Sequence, residues 1–176
     1  MTSSVKIISV DPSGAFNEGK GVTGILVLDK DAEIEHHEFT MAKEYNGQLN
    51  YWQGVIDNLA AVYSWNPGAV LSIEDYVLYG DSAMAQVNSE METSKLIGAL
   101  CMWAYNEKIP IYTRNAALVK KRWSNKILEH KGYITKNGNK YTDRRGVWIN
   151  RHVIDALRHA LHCHHFEVGK KEKELM

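Results

Sequence analysis

Two short apolar runs, each closed by an acid, limit what this chain can become more than any other feature. Val5 to Asp11 reads VKIISVD and Ala69 to Tyr76 reads AVLSIEDY, so Ile8 and Val10 precede Asp11 much as Leu71 and Ile73 precede Glu74. β-Branched and apolar residues in runs this short belong to buried strands. A carboxylate at the end of a buried strand is costly unless it is paired or holds a cation. If the two strands are neighbours in one sheet, both acids emerge at the same edge. Asp75 is a rival to Glu74, but side chains alternate along a strand, which sends Asp75 to the opposite face.

Other elements follow from spacing and punctuation. Gly21 to Asp29 (GVTGILVLD) is a second strand, and Glu33 to Thr40 a third, more polar and at an edge. Three strands with short links make an antiparallel meander. Leu49, Trp52, Val55, Ile56, Leu59 and Tyr63 recur at helical spacing between Gln48 and Trp65, and Asn66-Pro67-Gly68 stops that helix. A long helix is expected from Ser82 to Lys108, then a short strand from Ile109 to Thr113. Asn115 is placed to cap a helix from Ala116 to Trp123, with more helix to His130. Residues 131–148 are polar, basic and glycine-bearing, as in a mobile loop or small hairpin. Asn150 caps a last helix from Arg151 to about Phe166, and Glu167 to Met176 forms a charge-dense tail expected to be disordered. At 176 residues the chain is the size of one domain. The order predicts a single α/β domain over residues 1–166, a mixed five-stranded sheet flanked by helices.

The last helix supplies a complement to the two strand-end acids. His152, Asp155 and His159 fall on one face, whereas Ile154, Leu157 and Leu161 mark the apolar face. Asp155, between Ile154 and Ala156, sits at the margin of the core. Asp11, Glu74, His152 and Asp155 together form an oxygen-rich set with one imidazole. Such ligands suit Mg²⁺ or Mn²⁺, with the imidazole tilting the choice toward Mn²⁺. His159 stands either behind Asp155 or at the surface.

The charges total zero, with 21 basic and 21 acidic residues, yet they are unevenly spread. From Arg114 to Arg151 eleven basic residues face only Glu129 and Asp143, which leaves that stretch at +9 and the remainder at −9. Such a split predicts a polyanion-binding face on an acidic body. Lys120, Lys121, Arg122, Lys136, Lys140, Arg144 and Arg145 are its candidate nucleic-acid contacts. No apolar run approaches the roughly 20 residues that cross a bilayer, and no membrane partner is expected. The start, Met-Thr-Ser-Ser-Val-Lys, has no signal-peptide layout, so the expected location is the cytoplasm. Gly14 to Gly21 (GAFNEGKG) is one residue short of a phosphate-binding P-loop and runs into a strand, which argues against a nucleotide cofactor. Cys163, His164 and His165 are adjacent on a helix and point apart, unlike a zinc site, and Cys101 and Cys163 read as reduced thiols.

With these residues in view, the chain resembles the RuvC-type Holliday-junction resolvases of the RNase H-like superfamily. IISVDPSG followed by GVTGILVLD resembles that family's opening hairpin, and LSIEDY its second motif. TSKLIG (93–98), PIYTRNAALVKKRW (110–123) and HVIDALRHALHCHH (152–165) are similar to its later elements, in the same order. Three departures stand out: an insertion from Ala15 to Lys20, His152 where many members have Asp, and a lengthened basic loop over Thr135 to Arg145. The small, phage-type members are the nearest in kind, and the helper proteins of the bacterial system are not assumed for them.

The resemblance implies an RNase H-like fold and a structure-selective endonuclease acting on four-way or branched DNA, leaving 5′-phosphate and 3′-hydroxyl ends. It makes Asp11, Glu74, His152 and Asp155 the catalytic and metal-binding set for two ions, with Asp11 bridging and His152 a ligand or proton carrier. Lys120 or Lys121 becomes the phosphate holder. A two-fold junction calls for a homodimer, whose candidate face is the helix carrying Met84, Val87, Met91, Leu96 and Met102. Tyr76 and Tyr79 are candidates to stack on unpaired bases. The alternatives are a terminase-type or flap-debranching nuclease of the same superfamily, and a non-catalytic module that binds branched DNA.

Overall fold

The computed structural model describes residues 5–16, 19–75 and 91–168. Five strands form the main sheet: β1 (Ile7–Asp11), β2 (Val22–Leu28), β3 (Ile34–Met41), β4 (Val70–Asp75) and β5 (Ile111–Asn115). Their order is β3-β2-β1-β4-β5, with β1 antiparallel to β2, β2 antiparallel to β3, and β4 parallel to both β1 and β5. The meander and the edge position of β3 are therefore as the sequence predicts. β1 is central and buried at every residue, its polar members Ser9 and Asp11 included.

Alternation along β1 and β4 divides the core into two. Ile8 and Val10, with Leu71 and Ile73, pack against α1 (Gln48–Trp65) and α2 (Glu92–Asn106). The opposite face carries Ile7, Leu26, Leu28 and Val70, covered by α3 (Ala116–Arg122), α4 (Asn125–His130) and α5 (Arg151–Cys163). Asp11 and Glu74 belong by period to this second face. Leu49 departs from the predicted apolar stripe of α1 and is 74% exposed; Tyr51, Val55, Leu59 and Val62 form the buried side. Residues 82–90 of the expected long helix lie outside the described residues, and α2 itself begins at Glu92.

Caps set two of the helices as expected. The Asn115 side chain accepts from Ala117 N, and that of Asn150 accepts from Val153 N at 2.8 Å. The segment 131–148, read as a mobile loop or small hairpin, is a hairpin extended by a third strand. β6 (Ile134–Asn137), β7 (Lys140–Asp143) and β8 (Trp148–Ile149) pair antiparallel in that order. Arg144 ties it down by donating to the carbonyls of Gly132 and Lys131 and pairing with Glu33, while Arg145 donates to Asp143 and the Glu35 carbonyl. A π-helical turn, His164–Val168, follows α5, and Glu167 within it pairs with Arg114. Among the described residues, no helix is long and apolar enough to cross a membrane.

Candidate active site

Asp11 closes β1 and Glu74 lies near the end of the parallel neighbour β4, where Val10 is level with Ile73. Both therefore leave the sheet on the α5 side. That helix crosses the same edge close enough that Gly24, level with Asp11 on β2, has no room for a side chain. A Cβ there would lie 2.6 Å from the carbonyl carbon of His152. The close approach brings Asp155 in, and Asp11, Glu74 and Asp155 each offer a carboxylate oxygen within 4.8 Å of the others.

His152 joins this cluster through Asp11. Its Nδ1 lies 2.6 Å from Asp11 Oδ2, and Arg151 Nε donates to its Nε2 at 3.3 Å. An acceptor at Nε2 leaves the ring proton on Nδ1, which donates it to Asp11. Lys120 is the lysine at the site, with Nζ 3.0 Å from Asp155 Oδ2. Lys121 is exposed elsewhere on α3, and Arg122 stacks its guanidinium 4.1 Å over the Phe166 ring.

Two participants were not legible as such. Arg158, one turn beyond Asp155, pairs with that carboxylate, donates to the Trp123 carbonyl at 2.9 Å and bonds Asn125. Its i+3 spacing from Asp155 was the available signal. His159 is neither at the surface nor behind Asp155: it is 1% exposed, with Nε2 3.3 Å from Glu74 Oε2. That approach is too bent for a regular hydrogen bond, so it acts as a close polar contact. Lys136 and Lys140 are exposed on the small sheet, whereas Arg144 and Arg145 are engaged in the ties described above. Tyr76 and Tyr79, as well as Met84 and Val87, lie outside the described residues. Leu96 is core, and Met102 is exposed on α2.

The electrostatics divide the acids. Burial lifts the Asp11 carboxyl to about 7, helped by the charges of Glu74 and Asp155 and opposed by His152. Burial also pushes Glu74 upward, but His159, a bond with Asp11 and the charge of Lys120 outweigh it, and its carboxyl stays below the ordinary value. Burial alone would lower Lys120; Asp155 first, then Glu74 and Asp11, raise it instead. Without a cation, then, the cluster is short of positive charge at its most buried member. Three convergent carboxylates with that deficit fit a hard divalent ion.

No protein-family model matches the chain, and no curated protein matches its sequence. Among solved structures it is similar to Thermus thermophilus RuvC. The RuvC complex with Holliday junction substrate superposes with a TM-score of 0.67 at 17% identity, covering 94% of this chain and 96% of that one. A second T. thermophilus RuvC structure gives 0.64 at 14% identity, covering 94% and 97%. The fold is thus RuvC-type and RNase H-like, a mixed five-stranded sheet flanked by helices.

Proposed function

We propose that this protein is a structure-selective endonuclease that resolves Holliday junctions and related branched DNA by metal-dependent phosphodiester hydrolysis. One observation carries the reading: carboxylates from the ends of β1 and β4 and from α5 converge within 4.8 Å. They do so on a fold shared with a protein whose structure holds a Holliday junction. Asp11, Glu74 and Asp155 would hold two Mg²⁺ or Mn²⁺ ions. When bound, such ions supply charge neutralisation at the phosphate and an acidified water.

The chain's own groups do the rest. Asp11 fixes the His152 ring by accepting from Nδ1, so Nε2, which accepts from Arg151, is the nitrogen that would take or return a proton once that bond opens. His159 and Lys120 keep Glu74 ionised. Arg158, anchored at three points, holds Asp155 on one oxygen, whereas Lys120 reaches the other from a half-exposed position. Lys120 is the cation free to turn from Asp155 to a phosphate oxygen. A homodimer would set one such centre on each of two strands of a two-fold junction.

The test is cleavage of a labelled four-way junction beside linear duplex and flap controls, in Mg²⁺ and then Mn²⁺, with binding followed in EDTA. Paired nicks near the crossover, lost in Asp11→Asn while binding persists, are expected. Junction binding without cleavage in either metal would mark a non-catalytic module. Equal cutting of linear duplex would mark a packaging-type nuclease.

A further inference from the structure

Beside the carboxylate cluster runs a second feature, a groove of about 450 Å³ between β7 and β8 of the small sheet and the first turns of α4 and α5. Asp155 lines it, so the groove and the cluster share one wall. Among the described lining residues Asp155 is also the only acid, against Lys140, Arg151 and Arg158. Arg158 is fully engaged by Asp155, Asn125 and the Trp123 carbonyl; Lys140 also lines the groove, as does Arg151, whose Nε is bonded to His152 and whose two terminal nitrogens are the ones left to meet a ligand.

Two further residues give the groove its chemistry. Trp148 is 47% exposed, and Phe39 meets it edge-on at 5.7 Å and 88°, so the indole is held in place before any ligand arrives. Asn139, at the turn between β6 and β7, offers both a donor and an acceptor from one carboxamide. An oriented aromatic plate, two cations and an amide answer the three parts of a nucleotide: base face, phosphate and base edge. The volume is that of a pocket for one small molecule rather than a duplex.

We infer that this groove is a nucleotide-reading subsite, which receives an unpaired nucleotide adjoining the phosphate held at Asp11, Glu74 and Asp155. Its phosphate lies toward Lys140 and Arg151, its base stacks on Trp148, and Asn139 reads the base edge. A base paired within a duplex has no free face to offer Trp148. The subsite therefore selects for strands opened at a crossover and imposes a base preference next to the cut. This rests on the nuclease reading given above.

Four-way junctions randomised around the crossover, cleaved and then sequenced at the cut ends, test it. Wild-type protein is expected to favour particular bases at a position beside the cut. Trp148→Ala and Asn139→Ala should each flatten that position by roughly tenfold, a loss typical of one stacked or amide-read base. Trp148→Phe should restore most of the preference, and other positions should keep theirs. Melting curves confirm that each variant folds; should Trp148→Ala disturb the small sheet, Asn139→Ala at its exposed turn decides. A wild-type profile without preference beside the cut, or one that both variants leave unchanged, overturns the subsite while the nuclease stands. Failure of wild-type protein to cut any branched DNA defeats the nuclease reading, and the subsite with it.

Discussion

Asp11→Asn should stabilise the metal-free protein while abolishing its response to metal. The Asp11 carboxyl is raised from 3.8 to about 7, mainly by burial. Its folded value therefore lies above its unfolded one, and between about pH 4 and 7 the folded state binds the extra proton. Stability from this group is fully present below pH 4 and is lost as pH rises toward 7 and beyond. A carboxyl moved from 3.8 to about 7 corresponds to roughly 4 kcal/mol at most. Replacing the charge-assisted bond to His152 by a neutral one takes back about 1–2 kcal/mol, leaving the variant ahead by on the order of 2 kcal/mol. For a chain of this size that is a rise in Tm of roughly 4–8 °C. The assay is thermal melting of both proteins in EDTA from pH 4 to 8, repeated with Mg²⁺. The gap should open with rising pH and level off above 7, and Mg²⁺ should lift wild type but not the variant. A variant less stable than wild type at pH 8 in EDTA, or a gap that ignores pH, would refute the claim that Asp11 is held against its charge.

Gly24→Ala should cost about 2–4 kcal/mol in urea unfolding and reduce cleavage. The added methyl would meet the His152 backbone at 2.6 Å, and backbone at the start of a helix cannot yield as a side-chain tip can. Lys120→Ala should tighten Mg²⁺ or Mn²⁺ binding by a few-fold in titration calorimetry, because Asp155 loses a competing cation 3.0 Å away, yet weaken junction cleavage. Weaker metal binding in that variant would mean Lys120 assists the ion rather than giving way to it.

Local pattern was enough to place the acids. Asp11 and Glu74 were visible as charges closing buried strands, and Asp155 as a polar position at the margin of an amphipathic helix. Those signals depend on periods of two and 3.6 residues, which are properties of neighbouring residues alone. The caps at Asn115 and Asn150 were legible for the same reason. Tertiary structure decided the partners. His159 meets Glu74 across 85 positions of chain, and nothing near either residue in sequence marks the other. The +9 stretch looked like one basic face. Folding returns Arg114 to Glu167, Lys120 to Asp155, Arg144 to Glu33 and Arg145 to Asp143, so part of that charge is spent within the molecule. The small sheet was only half legible: a small hairpin was one of two readings of residues 131–148, and its third strand was hidden. Few of its residues are buried, Ile134, Asp143 and Ile149 among them, too sparse a pattern to show a period. Its strands are held by hydrogen bonds and by two arginines, Arg144 reaching Glu33 just before β3 and Arg145 reaching Glu35 within it, each more than a hundred residues away. Periodicity records what a residue does beside its neighbours; which charges meet, and which groove they border, depends on the distances that only the folded chain creates.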